Sequence, residues 1–284
     1  MSAASGRSWP APAKINLFLH VVGRRDDGYH ELQTAFQFLD RCDRLRFSLR
    51  DDDRICRRGG PPDLPPAQDL SVRAARLLQE ASGCRAGADI TVDKILPPGG
   101  GLGGGSSDAA TTLVALNRLW RLGRSTSELA ALGLRLGADV PVFVHGHAAW
   151  AEGVGERLTP IDPPEPWYVV LVPAVRVSTA AVFGAPELTR NSAPITIADL
   201  SGGRARNDCL PVVCGRYPAV SSAYDWLSGY GEARLTGTGG CVFAAFPDER
   251  AATAVHAKIP PTMEGFVARG RNRSPLLDRL AEPG

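Results

Sequence analysis

Six of the seven positions from Gly99 to Gly105 are glycine, Leu102 alone interrupting, and Ser106 and Ser107 follow directly. No packing need explains such a run. Glycine lets the main chain approach a ligand closely and take positive φ, and consecutive N–H groups at a helix N-terminus form an anion cradle. The flanks fit that reading. Ala88 to Ile95 alternates around Ile90 and Val92 as a short strand does. Beyond the run, Leu113, Leu116, Asn117 and Trp120 fall at helical spacing, with Ser106 or Ser107 as the expected N-cap. A flexible linker has no purpose between a strand and a capped helix, so the expected guest is a polyphosphate.

Two common phosphate loops do not match. Gly99-x-Gly101-x-x-Gly104 satisfies the dinucleotide fingerprint only formally. It arises trivially at this glycine density, lies near residue 100 without an early strand-helix repeat, and has no acidic residue between Leu119 and Gly123. The P-loop pattern fails because neither Gly104 nor Gly105 is followed by Lys and then Ser or Thr. A third kind of loop is required.

The 284 residues, 44% hydrophobic and 22% charged, allow one large domain or two ordinary ones with a full core and no disordered character. A net charge of +2 with scattered basic residues disfavours nucleic acid, although an arginine-rich RNA-binding module remains a rival, as does a nicotinamide enzyme. The six cysteines form no CxxC pair, as expected of reduced thiols. The first apolar run is broken by Asn16 and His20, so neither a signal peptide nor a spanning helix is expected, and the expected address is cytoplasmic. Of 32 basic residues only Lys14, Lys94 and Lys258 are lysine. In an arginine-rich chain a lysine can mark a site where the planar guanidinium fork does not fit.

From Ala13 to Val22 the alternation predicts a half-buried strand with Lys14, Asn16, Phe18 and His20 on one face. Asp26-Asp27-Gly28 turns it into a second apolar stretch through Phe36 and Phe38. Residues 50–68 are expected to be an irregular connection. Helices are expected from Leu70 to Gly83 and, behind a Ser125/Glu128 capping box, through Leu129, Leu132 and Leu136 to Gly137. Four prolines from Pro160 to Pro166 predict a joint, giving an N-terminal half of residues 1–158 and a C-terminal half of residues 159–284. The second half opens on a strand at Tyr168–Val172 and later holds a glycine turn, Gly237 to Gly240, before a strand from Cys241 to Phe246. Asp139, before Pro141, is most simply an N-cap; beside a phosphate loop and a lysine it could instead be the base for a hydroxyl nucleophile. His145 and His147 share a strand face in this reading, with no third ligand for a metal.

Several segments are recognisable together: Pro12-Ala13-Lys14-Ile15-Asn16-Leu17, Gly28-Tyr29-His30, Leu96-Pro97-Pro98-Gly99-Gly100-Gly101-Leu102-Gly103-Gly104-Gly105-Ser106-Ser107, Leu136-Gly137-Ala138-Asp139-Val140-Pro141 and Thr236-Gly237-Thr238-Gly239-Gly240. The chain resembles the superfamily of galactokinase, homoserine kinase, mevalonate kinase and phosphomevalonate kinase. Within it the Gly-Tyr-His segment and Val142 to Glu156 resemble the 4-diphosphocytidyl-2-C-methyl-D-erythritol kinases. The resemblance implies an α/β (α+β) two-domain small-molecule kinase, with a ribosomal-protein-S5-like N-terminal half, a ferredoxin-like C-terminal half and the active site in the cleft between them. It implies ATP and Mg2+ as cofactors. It also implies transfer of the γ-phosphate to the 2-hydroxyl of 4-diphosphocytidyl-2-C-methyl-D-erythritol, in the non-mevalonate isoprenoid pathway, by a monomer or weak homodimer with no nucleic-acid or membrane partner.

By the same resemblance Asp139 is the catalytic base and Lys14 its partner, with Pro97 to Ser107 gripping the ATP phosphates and Lys94 beside the nucleotide. The cytosine lies between Tyr29 and Phe183 with His30 reading its polar edge, Asn16 is near the erythritol end, and Thr179 belongs to the substrate site. Ser107 is a candidate magnesium ligand. Asp69 stands where relatives often carry asparagine beside the adenine, and Gly240 where alanine is common.

Overall fold

The computed structural model describes residues 7–59, 64–201 and 204–282. The outermost residues of both expected halves, 1–6 and 283–284, and residues 60–63 of the expected connection lie outside the described residues.

The expected hairpin forms, and it is longer than its alternation indicates. β1 (Trp9–Arg24) and β2 (His30–Arg50) pair antiparallel across the turn at Gly28, whose φ is +89°. β-bulges interrupt the register between Pro12 and Lys14, between Asn16 and Phe18 and between Val21 and Gly23. A bulge shifts the side-chain alternation by one residue. The single face expected for Lys14, Asn16, Phe18 and His20 therefore breaks after Asn16: Lys14, Asn16 and then Leu19 face the cleft, while Phe18 packs on Trp150 with ring centroids 5.0 Å apart.

The expected irregular connection contains a short strand, β3 (Ile55–Arg58). α1 (Leu70–Ser82) follows, capped by Asp69 and stopped by Gly83 in the left-handed region. β4 (Gly87–Asp93) runs antiparallel to β2 and parallel to β3, and ends where the glycine segment begins. α2 (Gly104–Leu119) starts inside that segment: its N-cap is Gly103, so Ser106 and Ser107 sit in the first turn and neither caps the helix. α3 (Thr126–Leu134) has the predicted capping box but stops before Leu136. α4 (Val140–His145) ends on His145, so the two histidines do not share a strand: His147 instead forms an isolated bridge with Arg273.

β5 (Ala149–Gly153) pairs with β2, and β6 (Arg157–Pro160) with β5. The proline-rich stretch then leads to β7 (Trp167–Val172), α5 (Thr179–Phe183), α6 (Leu210–Arg216), α7 (Pro218–Ser228), β8 (Arg234–Leu235), β9 (Val242–Phe246), α8 (Glu249–His256), β10 (Glu264–Arg271) and α9 (Pro275–Ala281).

The long β2 is the hub of one sheet ordered β3-β4-β2-β10-β7-β9-β8, with β1 also on β2 and β5-β6 attached. Two of its residues, Leu39 and Phe38, pair with Gly270 and Arg271 at the end of β10, and this short ladder joins the two halves' strands. Each half has its own core. Phe38, Leu45, Ala75, Leu78, Ile90, Leu113 and Phe143 pack in the first, and Val169, Val182, Val213, Leu227, Val242 and Val255 in the second. A third cluster lies along the seam, where Ile15, Leu39, Leu96 and Leu102 meet Tyr168, Val170 and Phe243. α9 crosses back to the first half: Leu276 joins its core and the Arg279 guanidinium lies 4.7 Å from the Trp9 ring centroid. Among the described residues no helix is long and apolar enough to cross a membrane.

Candidate active site

The cavity between the halves is about 630 Å³, ample for a nucleotide-sized ligand, and its walls come from β1, β2, the start of α1, the glycine segment, α2, the turn before α4, α5 and the turn before β9. Apolar anchoring explains how so flexible a sequence holds one shape. Leu102 is 1% exposed in the seam cluster, and its carbonyl accepts from the Lys14 N–H at 2.9 Å, while Gly100 O accepts from the Cys241 N–H at 3.0 Å. The one non-glycine of the run is thus a plug, pinned between the two halves.

Two glycines are required by close approach. Gly101 has φ +76°, and a Cβ there would lie 2.2 Å from the Thr236 carbonyl oxygen. Gly103 has φ +71°, and its Cβ would lie 2.8 Å from the Phe143 ring and 3.2 Å from Lys14 Cε. Because Gly103 offers no side-chain cap to α2, the first-turn amides are not met by one, and Gly103, Gly104, Gly105 and Ser106 line the cavity. Such amides, with the partial positive charge of the helix end behind them, favour a bound anion.

Lys14 reaches this place from β1 and is 2% exposed. A buried ammonium must be compensated on each of its three N–H directions. Its Nζ donates to Asn16 Oδ1 at 2.6 Å, pairs with Asp139 Oδ2 at 3.3 Å and lies 5.2 Å from the Phe36 ring centroid. Asp139 occupies the N-cap position of α4, yet its side chain makes no capping bond; it turns to Lys14 and the cavity instead, so the simpler capping role fails. Asn16 is itself fixed, donating from Nδ2 to Thr34 Oγ1 at 2.9 Å, and its backbone N–H donates to Thr236 Oγ1 at 3.0 Å. The Thr236 hydroxyl in turn donates to Gly101 O at 3.1 Å, tying β1, the C-terminal half and the glycine segment together.

The second lysine has a different setting. Lys94 Nζ donates to Asp43 and, at 2.7 Å, to Asp108 Oδ2. Burial opposes its charge, but Asp108 and Asp43 outweigh that and hold its pKa above the ordinary value. Asp43 also accepts the N–H of Ile95 at 2.6 Å and of Leu96 at 2.8 Å, which fixes the entry to the glycine segment. Asp108 is pushed the other way from a free carboxyl. Burial raises its pKa, Lys94 draws it back and the Asp43 charge adds to the rise. Its Oδ1 is buried without a hydrogen-bond partner, as is Ser107 Oγ.

Most of the expected site residues come together here: Lys14, Asn16, Lys94, Pro97, Pro98, Gly99, Gly100, Gly101, Gly103, Gly104, Gly105, Ser106, Asp139, Thr179 and Phe183 all line the cavity. Leu102, Ser107, Tyr29 and His30 do not; the first two are buried behind its wall. Tyr29 is 64% exposed, and His30 stacks on the cavity residue Phe183 with ring centroids 5.0 Å apart and planes at 20°. Asp69 lines the cavity while capping α1 through Ser71 N at 2.8 Å and pairing with Arg57 at 3.0 Å. Asp43, Asp108 and Thr34 were not singled out in the sequence, and Thr236 entered only as part of a recognisable segment, with no role given. Their partners lie between 14 and 220 residues away, and no local pattern marks them.

Similarity to known proteins agrees with this geometry. Residues 69–147 match the GHMP kinases N terminal domain and residues 195–264 the GHMP kinases C terminal domain. The chain is 64% identical over 274 residues to a 4-diphosphocytidyl-2-C-methyl-D-erythritol kinase of Alkalilimnicola ehrlichii, covering 96% of this chain and 94% of that protein. It is 58% identical over 276 residues to one of Nitrosococcus oceani, covering 97% and 99%. A crystal structure of 4-(cytidine 5'-diphospho)-2C-methyl-D-erythritol kinase superposes with a TM-score of 0.81 at 32% identity, over 93% of this chain and 99% of that one. A mevalonate kinase structure shares the fold alone, with a TM-score of 0.70 at 15% identity over 95% and 100%. The two-domain GHMP kinase fold, the cavity at its seam and these relatives together assign the chain to the 4-diphosphocytidyl-2-C-methyl-D-erythritol kinase family of the GHMP kinases.

Proposed function

We propose that this protein transfers the γ-phosphate of ATP to the 2-hydroxyl of 4-diphosphocytidyl-2-C-methyl-D-erythritol. The observation that carries the reading is the Lys14–Asp139 pair, at 3.3 Å, opening into the same cavity as the first turn of α2. In this reading the amides from Pro97 to Ser107 grip the triphosphate, with Lys94 beside it, and Asp139 accepts the proton of the attacking hydroxyl. The Lys14 ammonium stabilises the oxygen as its negative charge develops. The hydroxyl oxygen forms a bond to the γ-phosphorus, the bond to the β,γ-bridging oxygen breaks, and ADP leaves with that electron pair.

A magnesium ion would neutralise charge across the β and γ phosphates. Among the described residues no group of three or more His, Cys, Asp or Glu could hold a metal. The empty, buried Asp108 Oδ1 on the cavity wall suits a hard cation that keeps most of its ligands from phosphate and water. Asp108 is therefore the better protein ligand, and Ser107, buried behind the wall, the weaker.

Asn16, beside Lys14, and Thr179 would contact the substrate, and the cytosine would lie between Tyr29 and Phe183 with His30 at its edge. Offset stacking contributes about 1 kcal/mol per ring contact, which sets orientation as much as affinity. Carried with this reading are a division at residues 1–158 and 159–284, a monomer or weak homodimer, and a cytoplasmic address. An ADP-release assay comparing the cytidyl substrate with homoserine, mevalonate and galactose tests it. Turnover of the cytidyl substrate alone is expected, and preference for any of the others would overturn the assignment.

A further inference from the structure

Arg190 lies beyond α5 and does not line the cavity, yet every nitrogen of its guanidinium donates. Nη1 donates to Leu188 O at 3.0 Å, and Nη2 to Phe183 O at 2.8 Å and Ala185 O at 2.7 Å. Nε donates to Nε2 of His30 at 3.1 Å, and the His30 ring is the one stacked on Phe183. One side chain thus holds both the backbone of Phe183 and the ring lying on it.

The chemistry of that contact is one-sided. A guanidinium carries N–H donors only and keeps its proton, so His30 Nε2 must be the acceptor. A neutral imidazole that accepts at Nε2 carries its proton at Nδ1. Burial, then the Arg190 and Arg24 charges, lower the pKa of His30, which keeps the ring neutral. The ring therefore has one polar atom left for a ligand, and that atom is a donor.

We infer that Arg190 is a positioning residue for the nucleobase: it fixes His30 as an Nδ1–H donor at the face of Phe183, a partner for the N3 acceptor of cytosine and not for the N3–H of uracil. The inference rests on the cytidyl-substrate reading above. It assigns base discrimination to a residue about 160 positions from the histidine it acts through. A site that presents a donor to a donor leaves both unpaired, which is how a polar pocket rejects a near-identical ligand.

Nitrogen-15 NMR of histidine-labelled full-length protein, with steady-state kinetics on the cytidyl substrate and its uridyl analogue, tests this. Wild-type His30 is expected to read as protonated at Nδ1 and bare at Nε2, and Arg190→Met to lose that preference. Arg190→Met and His30→Gln should each raise KM for the cytidyl substrate about tenfold and erode cytosine-over-uracil discrimination by a similar factor, with the larger share of the effect in KM and not in kcat. His30→Asn places an amide N–H near the Nδ1 position and should keep more of the discrimination than His30→Gln, which tests the donor itself; if Arg190→Met folds poorly, Arg190→Lys, which retains a donor toward Nε2 and should keep the Nδ1–H form, carries the test of the positioning role. A proton at Nε2 in the wild type, equal discrimination by the Asn and Gln variants, or undiminished discrimination in a folded Arg190→Met would overturn the inference. If the wild type turned over neither substrate while His30 still read as Nδ1–H, the functional reading would have failed, and the recognition role with it.

Discussion

Lys14 and Lys94 face one cavity, and each is paired with carboxylate, but the pairings differ in kind. Lys14 is anchored by Asn16 and shares its charge with a single aspartate, Asp139, whose side chain is 35% exposed. Lys94 is gripped by two aspartates, and these are 0% and 8% exposed. An ammonium with one half-open partner can redistribute its hydrogen bonds when a hydroxyl arrives, because the carboxylate is free to turn toward that hydroxyl. An ammonium between two buried carboxylates is already neutralised, and its chief effect is geometric. It ties β2 through Asp43 to β4 and to α2 through Asp108, and so fixes both ends of the glycine segment. On the proposed mechanism the same residue type would serve chemistry in one place and architecture in the other, and exposure of the acidic partner separates the two settings.

Substitutions can break that contrast. Asp139→Ala should lower kcat by roughly 10²–10⁴ while ATP affinity stays within about threefold, since the carboxylate acts on the acceptor. Rapid-quench turnover alongside calorimetric ATP binding measures both. Lys14→Arg, though it keeps the charge, should cost roughly 10² in kcat: the fork cannot fit beside Gly103, whose hydrogen already faces Lys14 Cε.

On the Lys94 side the loss should fall first on stability. Asp43→Ala removes the acceptor for two backbone N–H groups and one lysine partner, and chemical denaturation should report a loss of about 3 kcal/mol. Asp108 sharpens the comparison through pH. Its folded-state pKa lies above the ordinary 3.8, so the native state holds the extra proton and this group makes the metal-free protein less stable as pH rises from that value to about 7. Asp108→Asn should flatten that slope, read as unfolding midpoints across the range. The smallest effect belongs to Asp69→Asn: the amide oxygen can still cap α1, so about 1 kcal/mol and a few-fold change in KM for ATP are expected.

What could be read from the chain alone was what local chemistry dictates. The Ser125 capping box, the Gly83 stop, the hairpin at Gly28 and the strand-loop-helix around the glycine run each depend on neighbours within a few residues. The lysines were legible because they are rare here. Helix onset in the glycine run was misjudged because serine is the better cap in isolation, whereas the amides of this turn are left uncapped by Gly103. The break in alternation after Asn16 went unseen because a bulge leaves no compositional trace when both faces of a strand are buried. Asp43, Asp108 and Arg190 acquire meaning only from partners brought close by the fold, and an aspartate in a strand has no pattern of its own.

The relation that everything else serves is the placement of the acceptor hydroxyl between Asp139 and the γ-phosphate. A crystal structure with a non-hydrolysable ATP analogue and the cytidyl substrate measures it directly. The account predicts the 2-hydroxyl oxygen about 2.6–3.2 Å from an Asp139 carboxylate oxygen, with the triphosphate seated on the first-turn amides of α2. A triphosphate bound away from those amides, or a hydroxyl turned from Asp139 toward solvent, would contradict it.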